Sequence, residues 1–77
     1  MITIADIRNV IAEHLVQEPH AVVPTSNLFD DFGADDLDEI EILMELEEKA
    51  EIVIPDRDYV TVQDFIDAIR DVGGLSE

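Results

Sequence analysis

The sequence predicts an all-α fold, a small bundle of three main helices with a short fourth, and three observations carry that prediction. Apolar residues recur at helical spacing in three separate segments, each opened by a side chain suited to cap a helix N-terminus. A stretch rich in proline and turn residues separates the first segment from the second. The chain has only 77 residues, 47% of them hydrophobic, which is enough for one domain (residues 1–77) with one small core.

In the first segment Ile4, Ile7, Val10, Ile11 and Leu15 share a face, with Thr3 as N-cap and Asp6 as its capping-box partner, so a helix is expected over about 3–16. Pro19 and Pro24 then exclude regular helix, and Thr25-Ser26-Asn27 is turn-rich, so 17–35 reads as a long loop. Gly33 gives that loop a permissive backbone position before Asp35 or Asp36 opens the second helix, which runs to about Glu51. Beyond Ile52-Val53-Ile54 and Pro55, residues 56–59 are expected to make one short helical turn. Thr61, boxed with Asp64, caps a last helix over about 62–72 with Val62, Phe65, Ile66, Ile69 and Val72 on its apolar face. The Gly73-Gly74 pair reads as a frayed end.

Charge narrows the partners. A formal net charge of -16 repels nucleic acid phosphates and anionic headgroups, and it attracts basic protein surfaces and divalent cations. With no cysteine there is no disulfide frame, thiolate metal site or Cys nucleophile. The apolar runs are far too short for a membrane span and the N-terminus has no signal-peptide pattern, so a cytoplasmic monomer is expected.

The second helix has one apolar face more than a core needs. Ile42, Leu43, Leu46 and Ala50 fall on one side and can close a core. Leu37, Ile40 and Met44 gather on the other, flanked by Glu41, Glu47 and Glu48. An apolar strip with an acidic rim suits docking to a basic, apolar-centred groove, the strip giving affinity and the rim steering. Residues 30–51 hold eleven acids against the single base Lys49, a net -10 of the total -16.

The runs Phe32-Gly33-Ala34-Asp35-Asp36-Leu37-Asp38, Ile40-Glu41-Ile42-Leu43-Met44-Glu45-Leu46-Glu47-Glu48 and Ile54-Pro55-Asp56 together resemble the acyl carrier protein family, and the likeness extends from the first helix to Thr61-Val62-Gln63 and the last. The resemblance implies an acyl-carrier-like bundle that carries fatty, polyketide or related acyl chains on 4'-phosphopantetheine, and that is not an enzyme. It implies that Leu37, Ile40, Glu41, Met44, Glu47 and Glu48 are read by acyl-chain synthases and transferases. It also implies that Phe29, Leu43, Leu46, Ile54, Val62, Phe65 and Ile69 line the space for the acyl chain; read without the family, these residues are simply core.

The chain departs from the family pattern at one place. Where the family has the serine that takes phosphopantetheine, this sequence has Asp36, which has no hydroxyl to form the phosphodiester. No cofactor is therefore expected in this form. A carrier-like paralogue that lost its attachment site and a Ser-to-Asp substitution that blocks modification account for Asp36 equally well. An arm-independent acidic module, which binds and regulates basic partner enzymes through the second helix, is the alternative function.

Other chemistry finds little support. His14 and His20 have no nucleophile to pair with and read as surface residues. The segment from Asp30 to Asp36 lacks the alternating ligands of an EF-hand, and its glycine comes too early. Weak, nonselective divalent binding by Asp30, Asp31, Asp35, Asp38 and Glu39 is the most the acids imply, because it would relieve their repulsion.

Overall fold

The computed structural model of the chain describes residues 1–76. Helix α1 spans Ile4–Leu15, α2 Leu28–Phe32, α3 Asp36–Ala50 and α4 Val62–Asp71, and a single 3₁₀ turn, Pro19–Ala21, follows α1. Capping fixes where each main helix starts. The side chains of Thr3, Asp35 and Thr61 accept from the backbone N–H groups of Asp6, Asp38 and Asp64, and each of those acids accepts the cap residue's own N–H in return. Two donors per helix start, otherwise orphaned, are satisfied this way.

α1 packs on both α3 and α4. Ile7 and Ile11 from α1, Ile42 and Leu46 from α3, and Phe65, Ile66 and Ile69 from α4 are buried almost completely and make one contiguous cluster. The radius of gyration, 11.0 Å, is near the ~11.5 Å typical of a folded chain this long.

The fourth helix forms, but not where the sequence placed it. Residues 51–60 hold a turn at Glu51, a bend at Arg57 and otherwise no regular structure, with no helical turn at 56–59, whereas α2 forms inside the stretch read as loop. The Asn27 side chain caps α2 by accepting from Phe29 and Asp30, and Gly33 ends it at φ 70°. Gly33 N–H donates to Phe29 and Ala34 N–H to Leu28, the paired closure of a left-handed C-terminus. A five-residue helix this dependent on its caps leaves almost no periodicity to read.

The long connection between α1 and α3 is tied down. Leu28 N–H donates to Val60 O, Val62 N–H to Ser26 O and Gln63 N–H to Pro24 O, which fastens it to the entrance of α4. The chain end is held as well, contrary to the frayed end expected from Gly73-Gly74. Ile2 N–H donates to Gly74 O and Ser76 N–H to Ile2 O, and Gly74 is buried where an added Cβ would lie 2.8 Å from Ile52 Cδ1.

Candidate functional site

α3 sorts its side chains as its sequence divides them. Ile42, Leu46 and Ala50 are buried, with Leu43 half-buried against the core. On the other side Leu37, Ile40 and Met44 are 62%, 52% and 61% exposed, and Glu41 and Glu48 beside them are exposed too. Three large apolar side chains on one strip of a helix thus face solvent.

Glu47 departs from that pattern. It is half-buried, and its Oε2 accepts the Ile54 N–H at 2.9 Å, so the fold itself uses a carboxylate expected in the rim. Glu39 is used in the same way, its Oε2 accepting the Tyr59 N–H at 2.6 Å. At about 100° per residue Glu39 lies about 160° from Leu37, on the side that faces residues 52–60. These two acids fasten the irregular strap 52–60 to α3 by charge-assisted bonds, so the strap needs no helix of its own to satisfy those donors.

Asp36 is the first residue of α3 and is exposed, directly after the N-cap Asp35 and inside the Asp35–Asp38 capping box. Beside it opens a cleft of about 300 Å³ lined by Asp36, Glu39, Ile40 and Leu43 from α3 and by residues 56–59 of the strap. Tyr59, absent from the residues the sequence singled out, closes its inner side. It is 1% exposed, stacks on Phe65 at 4.6 Å between ring centroids, and donates its hydroxyl to Pro55 O at 2.6 Å. Burial pushes its phenol pKa up, although Arg57, whose guanidinium lies 5.6 Å from the ring centroid, acts the other way. Its one available signal was an aromatic residue close before the Thr61 cap, with no periodic pattern to place it.

The seven inner positions divide in two. Leu46, Ile54, Val62, Phe65 and Ile69 are buried, whereas Phe29 and Leu43 are half-buried and pack against the cluster. The two serines offer no substitute for one at residue 36. Ser26 is buried and its Oγ accepts the Val23 N–H, and exposed Ser76 lies next to the chain end, far in sequence from any helix start.

The acids at the α3 entrance are spoken for by the backbone more than the sequence suggested. Asp31 accepts from Asn27 N–H, and Asp35 and Asp38 serve the capping box. Asp30 is exposed on α2. His14, expected on the surface, is instead half-buried in the last turn of α1, with Nε2 3.1 Å from Glu41 Oε1 and 3.4 Å from Asp38 Oδ1.

The capped start of α3 thus lies beside a cleft and next to an exposed apolar strip. The family model for the phosphopantetheine attachment site matches residues 5–69. The chain belongs to the acyl carrier protein family. It is 41% identical over 76 residues to an acyl carrier protein of Campylobacter concisus, covering 95% of this chain and 99% of that one. Similar proteins of the same name occur in Campylobacter curvus, at 39% identity over 88% of this chain and 92% of that one, and in Campylobacter jejuni subsp. doylei, at 40% over 90% and 94%. Acyl carrier proteins are carriers and not enzymes, and phosphopantetheine is the group this family takes. No helix here is long and apolar enough to cross a membrane, among the described residues.

Proposed function

We propose that this acyl carrier protein, in the form that has Asp36, presents the family's docking surface without carrying an acyl group of its own. The observation that carries the reading is the exposed carboxylate of Asp36 at the first position of α3, next to the 300 Å³ cleft and above the strip Leu37, Ile40 and Met44. Attachment of phosphopantetheine requires a hydroxyl oxygen that ends in a stable phosphodiester. A carboxylate attacking the same phosphorus would give a labile acyl phosphate, so the residue present does not fit the group. What Asp36 does supply is negative charge at a helix N-terminus, where unpaired N–H groups favour an anion, and that mimics the charge of a loaded protein without its arm.

The partners this surface suits are basic faces of acyl-chain synthases and transferases, met by a cytoplasmic monomer through one domain, residues 1–77. The apolar strip supplies the buried contact, and Glu41 and Glu48 steer. Glu47, whose carboxylate is engaged with Ile54, contributes less. Binding kinetics against a carrier-reading transferase test the docking half of the reading. Glu41→Lys or Glu48→Lys should lower the association rate at least several-fold at low salt and much less at high salt; a rate indifferent to both would remove the docking face.

The same strip also suits a regulatory module that needs no arm at all, and the net -10 concentrated in residues 30–51 favours it, because steering by charge does not depend on loading. The two readings part on Asp36→Ser: a disabled carrier regains loading there, and a diverged regulator does not.

A further inference from the structure

Among the described residues, one group of three metal-capable side chains brings its ligand atoms within 4.8 Å of one another: His14, Asp38 and Glu41. It differs in kind from the surrounding acids because it holds the imidazole of a half-buried histidine, and because it joins two helices. Asp38 and Glu41 stand three residues apart on α3 and so project to one side, towards the last turn of α1 where His14 sits. Of the Nε2 to Oδ1 and Nε2 to Oε1 separations, 3.4 and 3.1 Å, the first matches the roughly 3.4 Å edge of a tetrahedron whose metal–ligand bonds are about 2.0–2.1 Å, and the second falls about 0.3 Å short of it.

Orientation is built in on one side. Asp38 Oδ2 accepts the Asp35 N–H at 3.1 Å in the capping box, which holds the carboxylate with Oδ1 turned to His14. A carboxylate fixed by an outer hydrogen bond is how protein metal sites orient their ligands. One imidazole nitrogen with two carboxylate oxygens suits zinc or a similar transition metal; magnesium prefers six oxygens and surrenders water reluctantly.

We infer that His14, Asp38 and Glu41 form a site for a zinc-type divalent cation that clips α1 to α3. The cation neutralises part of the charge that Asp38 and Glu41 bring together, and it leaves at least one coordination position open to water. It also takes Glu41 out of the acidic rim, so occupancy would weaken any steering that depends on that residue.

Calorimetric titration of the untagged full chain with Zn²⁺ near neutral pH tests the site, with Co²⁺ absorption reporting the ligand geometry. The expected result is one bound ion per chain, a raised melting temperature, and affinity at least tenfold above that for Mg²⁺. His14→Gln and Glu41→Gln should each weaken Zn²⁺ binding tenfold or more, and Glu41, half exposed, can be changed without touching the core. His20→Gln and Glu18→Gln remove an imidazole and a charge elsewhere and should leave it within twofold. Zn²⁺ binding that is absent, no stronger than that of Mg²⁺, or indifferent to His14 and Glu41 would overturn the inference.

Discussion

Truncating α3 on its two faces should have opposite consequences, and the sizes follow from burial. Leu46 is 0% exposed, so Leu46→Ala removes three fully buried carbons, a transfer loss of about 2.4 kcal/mol at ~0.8 kcal/mol each. The cavity left behind adds to that, and buried Leu→Ala changes run to about 2–5 kcal/mol. We take roughly 3 kcal/mol, which lowers Tm by about 12–24 °C at the ~4–8 °C per kcal/mol of a domain this small. Met44 is 61% exposed, so Met44→Ala forfeits at most about two-fifths of a similar transfer term, about 1 kcal/mol, and alanine's better helix propensity offsets part of it. Thermal and urea unfolding followed by far-UV circular dichroism measure both. Met44→Ala should keep most of the stability and lose partner binding, whereas Leu46→Ala should lose stability by the larger amount. Equal destabilisation by the two, or a loss below about 1 kcal/mol at Leu46, would refute the division of α3 into a core face and a docking face.

Two further expectations concern the strap and the caps. Glu39→Ala leaves the Tyr59 N–H without its 2.6 Å acceptor and should cost about 1–3 kcal/mol; faster amide exchange at Tyr59 before any global opening would show it, and unchanged exchange would count against the strap's attachment. Stability should decline as pH falls below about 4. The decline has a defined sign. The Asp6 carboxyl is held below its ordinary 3.8 chiefly by the Thr3 backbone N–H; for Asp64, burial acts upward but the Thr61 and Val60 N–H groups outweigh it and lower the pKa. Groups with depressed folded pKa values stabilise above 3.8 and lose that contribution as pH falls through the folded value. A pH series of urea midpoints that stays level or rises below about pH 4 would contradict this sign.

The three main helices were legible because each carries its own local signals: a capping residue, an acid three positions on and a helical-period apolar face. The two faces of α3 were legible for the same reason, since exposure of Leu37, Ile40 and Met44 follows from angle alone. What escaped the sequence is either too short to show a period or depends on distant partners. α2 rests on Asn27, Gly33 and a bond from Leu28 to Val60, and the strap has two of its N–H groups taken by Glu39 and Glu47 on another element. Likewise, nothing local to His14 indicates that Asp38 and Glu41 stand opposite it, and Tyr59 becomes a wall of the cleft only when it meets Phe65.

The most direct test of the central claim is the intact mass of this chain and of Asp36→Ser after each is incubated with coenzyme A and a broad-specificity phosphopantetheinyl transferase. The account predicts that only the serine form gains one phosphopantetheine arm, which would show a recognition surface intact around a single missing hydroxyl. An arm on the Asp36 chain would contradict it outright; no arm on either would mean that the surface too has diverged, and the arm-independent regulator would then be the reading to keep.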